Sequence, residues 1–365
     1  MTTIGEPTAP PAGTASPEEI ADRVLSAAIG AFDTLAIYLG DRLGWYDAMA
    51  GAGPLTAAEL AGRTGTNERY AREWLEAQAA SGYLTAMDGD PRRFELPPGA
   101  AEVFTDRESL NYLAPLTRFV VAPAERMSAL VEAYRSGGGV SWAQFGADAR
   151  TGQADMNRPW YEKALPGALR GVPEVHDLLD RPGARIADIG CGEGWSSLAL
   201  ARTYPGATVH GYDPDAPSTA AAAEHAAAEG LADRVRFVTD DAATALPEGS
   251  FDAVFAFECL HDLPHPVEVL AAARRALRPS GAVIVMDEAA QEEFTAPAGD
   301  VERLLYGYST LVCLPDAMSH QPSAATGTVI RWSTVRDHAE RAGFTTVDVL
   351  PIEDFGFWRF YRLRP

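Results

Sequence analysis

Cysteine is scarce in this chain. Only Cys191, Cys259 and Cys313 occur in 365 residues, odd in number and far apart. They offer neither a disulfide framework nor a metal-ligand spacing, which points to a reducing compartment and to no resident metal. Positive charge is short too. Lys and Arg total 30 against 51 Asp and Glu, a net charge of −21, with a pI near 4.7. Such a surface repels phosphate backbones and anionic membrane faces, so nucleic acid is a poor main partner. No apolar run approaches the roughly 18 residues of a membrane span, and the amino terminus shows no basic-then-apolar leader pattern. A cytoplasmic location is expected. What is present suits a globular protein of two or three domains, with apolar residues at 47%.

Residues 1–15 are mostly Thr, Ala, Pro and Gly and read as a disordered tail. Ser16-Pro17-Glu18-Glu19 then makes a helix start, with Ser as cap and Glu at the capping-box position. Helical periodicity continues through Val24, Leu25, Ala28, Phe32, Leu35, Ala36, Leu39 and Leu43. That face is longer than one small domain needs, so it reads equally as core packing or as a dimer interface. A helix at Ala57–Thr64, a turn at Gly65, a helix from about Asn67 to Ala80 and a hairpin around Asp88-Gly89-Asp90-Pro91 predict a winged helix within residues 16–104. Its second helix offers Asn67, Arg69 and Arg72 to a major groove, but Glu68, Glu73 and Glu76 oppose them. A structural or dimerising role is the favoured reading. Residues 105–182 read as a helical linker that helps line a pocket. A helix is expected at 122–134, followed by Ser136-Gly137-Gly138-Gly139 and the aromatics Trp142, Phe145, Trp160 and Tyr161.

The stretch R-I-A-D-I-G-C-G-E-G, Arg185 to Gly194, is a strand, a glycine-rich turn and the start of a helix. A dinucleotide fingerprint would need a third glycine at position 195, which is Trp195. Asp188 at the strand's end suits a cationic amine and repels pyrophosphate. A second strand, Thr208–Tyr212, ends at Asp213, placed to accept from ribose hydroxyls. A third, Val235–Val238, leads to Asp240, Asp241 and Ala242, where a carboxylate can accept from an adenine amino group. A fourth, Phe251–Phe257, ends at Glu258, Cys259, Leu260, His261 and Asp262, and a fifth, Ala282–Met286, ends at Asp287 and Glu288. Strand and helix alternate five times, with polar residues gathered at strand carboxyl ends. That pattern predicts an α/β, doubly wound parallel sheet.

With D-I-G-C-G-E-G, Y-D, D-D-A, F-D-A-V and L-R-P-S-G-A-V-I-V-M-D in order, residues 183–365 resemble a class I S-adenosylmethionine-dependent methyltransferase. The resemblance implies a Rossmann-like sheet of seven strands with an antiparallel edge, and S-adenosyl-L-methionine as cofactor. It implies that Asp188, Gly190, Gly192 and Gly194, with Cys191 in the same turn, hold the methionine part. Asp213 would take the ribose, Asp240, Asp241 and Ala242 the adenine, and Glu258 would floor the site beside the sulfonium. With its winged helix, the whole chain is similar to small-molecule O-methyltransferases carrying an amino-terminal dimerisation domain, which implies a homodimer. "SGGGVSW", "NRPWYE" and "MSHQPSAATGTVIRW" resemble a bacterial group of regulator-like methyltransferases. His261, in L-H-D after the fourth strand, resembles the base that deprotonates a phenol in plant-type enzymes, with Asp287 as the acid orienting it. A purely structural His is the alternative. Residues 291–328 interrupt the sheet order and are expected to roof an acceptor pocket, with His320 as a second base candidate or an ordinary loop residue. Two other readings stand beside methyl transfer to a small-molecule hydroxyl: a regulator sensing S-adenosylmethionine, and a non-methylating reaction on the same fold.

Overall fold

The computed structural model describes Gly13 and residues 15–365, so nearly all of the tail expected at 1–15 lies outside the described residues. The described chain divides into two compact units. One runs to Ala124 and takes in residues 147–159; the other comprises Glu125–Gly146 and Trp160–Pro365. The segment 105–182, expected as a linker, is thus shared between them.

The amino-terminal unit opens with the helix Pro17–Arg42. The Ser16 hydroxyl accepts the Glu19 N–H at 3.2 Å and the Glu19 carboxylate accepts the Ser16 N–H at 2.7 Å, the expected capping box. This helix is long and apolar enough to cross a membrane by length and composition. That corrects the expectation that no such run exists: from Val24 to Gly40 only Asp33 carries charge. Its polar bonds nevertheless tie one side to the rest of the unit. Trp74 Nε1–H donates to Ala36 O at 2.8 Å, the Ser81 hydroxyl to Asp33 at 2.6 Å, and Arg118 to Asp41 at 2.6 Å.

Helices Ala57–Thr64 and Glu68–Ala80 stand where the sequence places them, with Gly65 at φ +66° between them and Asn67 capping the second. Strands β1 (Thr85–Met87) and β2 (Arg93–Glu95) pair antiparallel as the wing. Trp45, Tyr46, Leu60, Trp74, Leu75, Phe94 and Phe104 form the core. The helix expected at 122–134 is instead two, Ala114–Ala124 and Met127–Ser136. Pro123 closes the first of these, because it has no N–H to continue the ladder and crowds the preceding turn.

In the other unit the strands are β3 (Arg185–Ile189), β4 (Thr208–Tyr212), β5 (Val235–Val238), β6 (Phe251–Phe257), β7 (Leu277–Glu288), β8 (Thr346–Val349) and β9 (Trp358–Arg364). Among the described residues they make one seven-stranded sheet in the order β5-β4-β3-β6-β7-β9-β8. Pairing is parallel from β5 to β7 and antiparallel at β9 and β8. The central strands β3, β6 and β7 are almost wholly buried, as the middle of a sheet covered on both faces requires. Ala187, Ile189, Val254, Ala256, Val283, Val285, Tyr361 and Leu363 share one core. Full burial of a Val, Leu or Ile there contributes ~1.5–3 kcal/mol. Within residues 291–328, helical chain runs as Asp300–Tyr308, a π-helical turn at Ser309–Cys313, and Leu314–Met318. Pro315 lacks the N–H that an uninterrupted ladder would use there, and such π turns gather at functional sites.

Candidate active site

The sheet order reverses between β3 and β6, and doubly wound sheets bind ligands outside the strand ends at that point. Gly190, Gly192 and Gly194 follow β3 with φ of +65°, +49° and +85°, a backbone that side chains resist. A Cβ on Gly190 would stand 2.7 Å from Cys259 Cβ, and one on Gly194 2.7 Å from the Phe237 ring. Beside Gly192 the space is open. The amides of the turn are already bonded internally. Gly190 N–H donates to Tyr212 O at 2.8 Å, Gly192 N–H to Asp213 Oδ2 at 2.9 Å, and Gly194 N–H to Cys191 O at 2.8 Å. A pyrophosphate would find these donors taken and a carboxylate beside them, whereas a cationic ligand fits both features.

Asp188 lies beneath this turn rather than at its mouth. It is fully enclosed, and its Oδ2 accepts the hydroxyls of Ser196 at 2.7 Å and Ser197 at 2.6 Å. Burial pushes its carboxyl up to about 6; the two hydroxyls work against the rise and Asp213 adds to it. Its other oxygen, Oδ1, is buried and accepts no hydrogen bond among the described residues. The enclosed side chain anchors the first turn of the helix Trp195–Thr203 under the glycines. Cys191 is buried in the same turn.

Asp213, half-buried at the end of β4, also accepts the Asp215 N–H at 2.8 Å through Oδ1. A carboxylate oxygen can accept more than one hydrogen bond. Asp240 and Asp241 are exposed past β5, where Asp241 accepts the Ala243 N–H at 2.8 Å, and Ala242 is buried beside them. Glu258 follows β6 at φ +52°, a conformation non-glycine residues rarely hold, with its N–H on Met286 O at 2.6 Å. The left-handed residue turns the chain sharply from β6 toward His261.

His261 is buried, and both ring nitrogens face acids. Nδ1 lies 2.6 Å from Asp287 Oδ1 and 2.9 Å from Glu288 Oε2, while Nε2 is 3.3 Å from Asp262 Oδ1. Burial opposes charge on the imidazole, but Asp262, Glu288 and Asp287 outweigh it and hold the ring well above the usual His range. For Asp287, burial is likewise outweighed by His261, which keeps its carboxyl low; burial raises Glu288. Cys313, from the π turn of the roof, meets the same ring and Asp262. Tyr308 stands near Glu258, Cys313 and Glu288, and burial raises its phenol above the ordinary range. Of the sequence candidates, His261 and Asp287 come together. His320 does not join them: it stands exposed past Leu314–Met318, with its backbone N–H on Ala317 O at 3.4 Å. Asp262, Glu288 and Cys313 were not anticipated as site residues. Glu288 and Asp262 were legible as neighbours of Asp287 and His261; no spacing announces Cys313.

Residues 187–285 match the family described as methyltransferase domain, and residues 31–106 the family described as Rv2258c-like winged HTH domain. The chain carries a methyltransferase domain after a winged helix-turn-helix domain. Over 93% of its length it is similar to the 3-amino-4-hydroxybenzoate 4-O-methyltransferase of Streptomyces cremeus, at 28% identity and over 90% of that protein. The structure of mitomycin 7-O-methyltransferase superposes with a TM-score of 0.72 at 22% identity, covering 94% of this chain and 97% of the other. Human N-acetylserotonin methyltransferase gives 0.71 at 17%, covering 96% and 99%. At such identities these two structures establish the fold alone. Five other curated methyltransferases are 30–40% identical, but the chain spans only 28–61% of their length.

Proposed function

We propose that this chain transfers the methyl group of S-adenosylmethionine to a hydroxyl of a small-molecule acceptor. The observation that carries the reading is the glycine turn whose amides are bonded internally, followed by Asp213, Asp241 and Glu258 at successive strand ends. That set suits a cationic nucleoside and rejects a phosphate. When bound, the cofactor supplies a methyl already activated on a sulfonium, so the protein must align the acceptor and manage its proton. We assign the open side of Gly192 to the methionine part and Asp213 to the ribose. Asp240, Asp241 and Ala242 take the adenine, and Glu258 the floor beside the sulfonium. His261, its ring oriented by Asp287, serves the acceptor end. The curated relative acting on 3-amino-4-hydroxybenzoate supports an aromatic hydroxyl as the acceptor class.

The test is a screen of hydroxylated aromatics with methyl-labelled cofactor. The expected result is labelled product in proportion to S-adenosylhomocysteine. S-adenosylhomocysteine or another product formed without methylated acceptor would favour the non-methylating alternative. His261→Ala is expected to lower turnover ~100-fold, within the usual range for a proton-handling residue; unchanged turnover would make His261 structural.

We further infer a homodimer through Pro17–Arg42. Val24, Leu25, Ile29, Phe32, Leu35 and Leu39 are exposed along this helix, and a second copy presenting the same stripe would cover them. Phe32→Glu is expected to give a monomer by light scattering, and a wild-type monomer would end the idea. The reading includes a cytoplasmic location, which the three free cysteines support. The winged helix invites a DNA-binding alternative. Its second helix pairs Arg69 with Glu73 and Arg72 with Glu68, leaving little net charge for phosphates.

A further inference from the structure

We propose that Glu288 is a positioning residue that holds a proton against Asp287 and so leaves His261 able to take the acceptor's proton at Nε2. The inference rests on the methyl-transfer reading and deepens it. Asp287 and Glu288 face Nδ1 of the buried ring and Asp262 faces Nε2. Three carboxylates around one enclosed imidazole would lock it as a cation. A base must be neutral before it acts. Neutralising one of the three acids is the change the ring needs, and the geometry singles out Glu288.

Donors decide between the two acids of β7. Asp287 Oδ1 accepts the His261 Nδ1–H at 2.6 Å and the Glu288 N–H at 3.0 Å, and both bonds favour its charged form. Glu288 Oε2 lies 2.9 Å from the same Nδ1, but that nitrogen carries one hydrogen and Asp287 takes it. Glu288 Oε2 and Asp287 Oδ2 are both enclosed and, among the described residues, have no hydrogen-bond partner. The two carboxyl groups lie within reach of each other. As two carboxylates they would have only acceptors to offer; one proton on Glu288 supplies the missing donor. Burial raises Glu288 well above the usual carboxyl range, with His261 opposing and Asp287 adding, whereas for Asp287 the same burial is outweighed by His261. The other groups facing the pair do not supply its proton. Burial holds the Cys259 and Cys313 thiols and the Tyr308 and Tyr361 phenols neutral. Arg359 of β9 stands in register with Asp287, not with Glu288.

The experiment is infrared spectroscopy of the full-length chain at neutral pH, with ¹³C in the carboxyls of glutamate alone. That labelling sets aside Asp188 and Asp316, whose carboxyls burial raises to about 6 and about 7. The expected result is a protonated-carboxyl band that moves with the label and is lost in Glu288→Gln. Absence of such a band from the wild type, or its persistence in Glu288→Gln, would overturn the proposal. The pH profile of kcat/KM then tests what the proton does. Gln is neutral like a protonated Glu, so the acid limb of Glu288→Gln is expected to coincide with that of the wild type. An ionised Glu288 would instead make the limb move down by ~1–3 pH units on substitution, and that result overturns the proposal as well. Glu288→Ala, which has no donor for Asp287, is expected to lower kcat ~10–100-fold with KM little changed, and Glu288→Gln to recover most of that loss. Equal losses in the two variants would make Glu288 merely structural. The infrared band needs no methyl transfer, so it separates failure of this assignment from failure of the methyl-transfer reading.

Discussion

The glycine turn and the His261 cluster sit at neighbouring strand ends and are built in opposite ways. The turn is made of backbone. Its conformation, its internal hydrogen bonds and its close approach to Cys259 and Phe237 follow from one run of residues, Asp188 to Gly194. The cluster is made of side chains from three distant segments, and its acids outnumber its cations. A site folded from local backbone tolerates little change in shape. One assembled from charges tolerates little change in balance.

Variants can separate the two. The largest effect is expected at Gly194→Val, which puts a branched side chain at φ +85° against Phe237 and Ala222. Strain and overpacking together should cost about 4 kcal/mol in urea unfolding and abolish cofactor binding. Wild-type stability would show that the turn is not shape-limited. Next, Asp287→Asn leaves His261 without its oriented counter-charge and should cost ~3 kcal/mol, as breaking a buried pair does. A loss below ~1 kcal/mol would mean that Glu288 holds the ring alone.

A smaller effect separates the regions by pH. The Asp188 carboxyl is raised from 3.8 to about 6, so the folded chain keeps a proton that the unfolded chain has released. Its contribution to stability is therefore present at low pH and falls as pH rises from about 4 to about 6. Relative to Asp188→Asn, the wild type should lose roughly 2 kcal/mol across that window. Parallel stability curves for the two proteins would contradict the enclosed position of Asp188. Smallest is Arg72→Ala on the winged helix, whose exposed pair with Glu68 should contribute ~0.5 kcal/mol or less. Gel shifts with this variant and the wild type are both expected to show no sequence-specific retention; retention by the wild type would support a DNA-binding role.

The same contrast explains what was legible in the sequence. Helix caps, the winged helix and β3 to β6 could be placed from sequence because capping residues, glycine turns and apolar runs act over a few positions. Asp213 and Glu258 were legible because a strand end fixes where its next residue lies. Asp188 shared that logic, but position along a strand does not reveal how deeply a carboxylate is enclosed. The His261 cluster was legible only in part. Asp287 follows from its strand end, but Cys313 reaches the ring through a π turn next to Pro315, and no periodicity foretells such a turn. His320 looked equivalent to His261 in a sequence that does not reveal exposure. The apolar stretch from Val24 to Gly40 was under-read because Gly, Ala and Thr dilute it to the eye, though its mean hydropathy is high.

The most direct measurement is calorimetric titration of S-adenosylhomocysteine into the full-length chain, with Asp213→Asn beside it. The expected result is one site per chain, weakened ~10-fold or more when Asp213 can no longer accept from both ribose hydroxyls. No heat at millimolar ligand, or unchanged affinity in Asp213→Asn, would contradict the assignment of this turn and its strand-end acids to a sulfonium nucleoside.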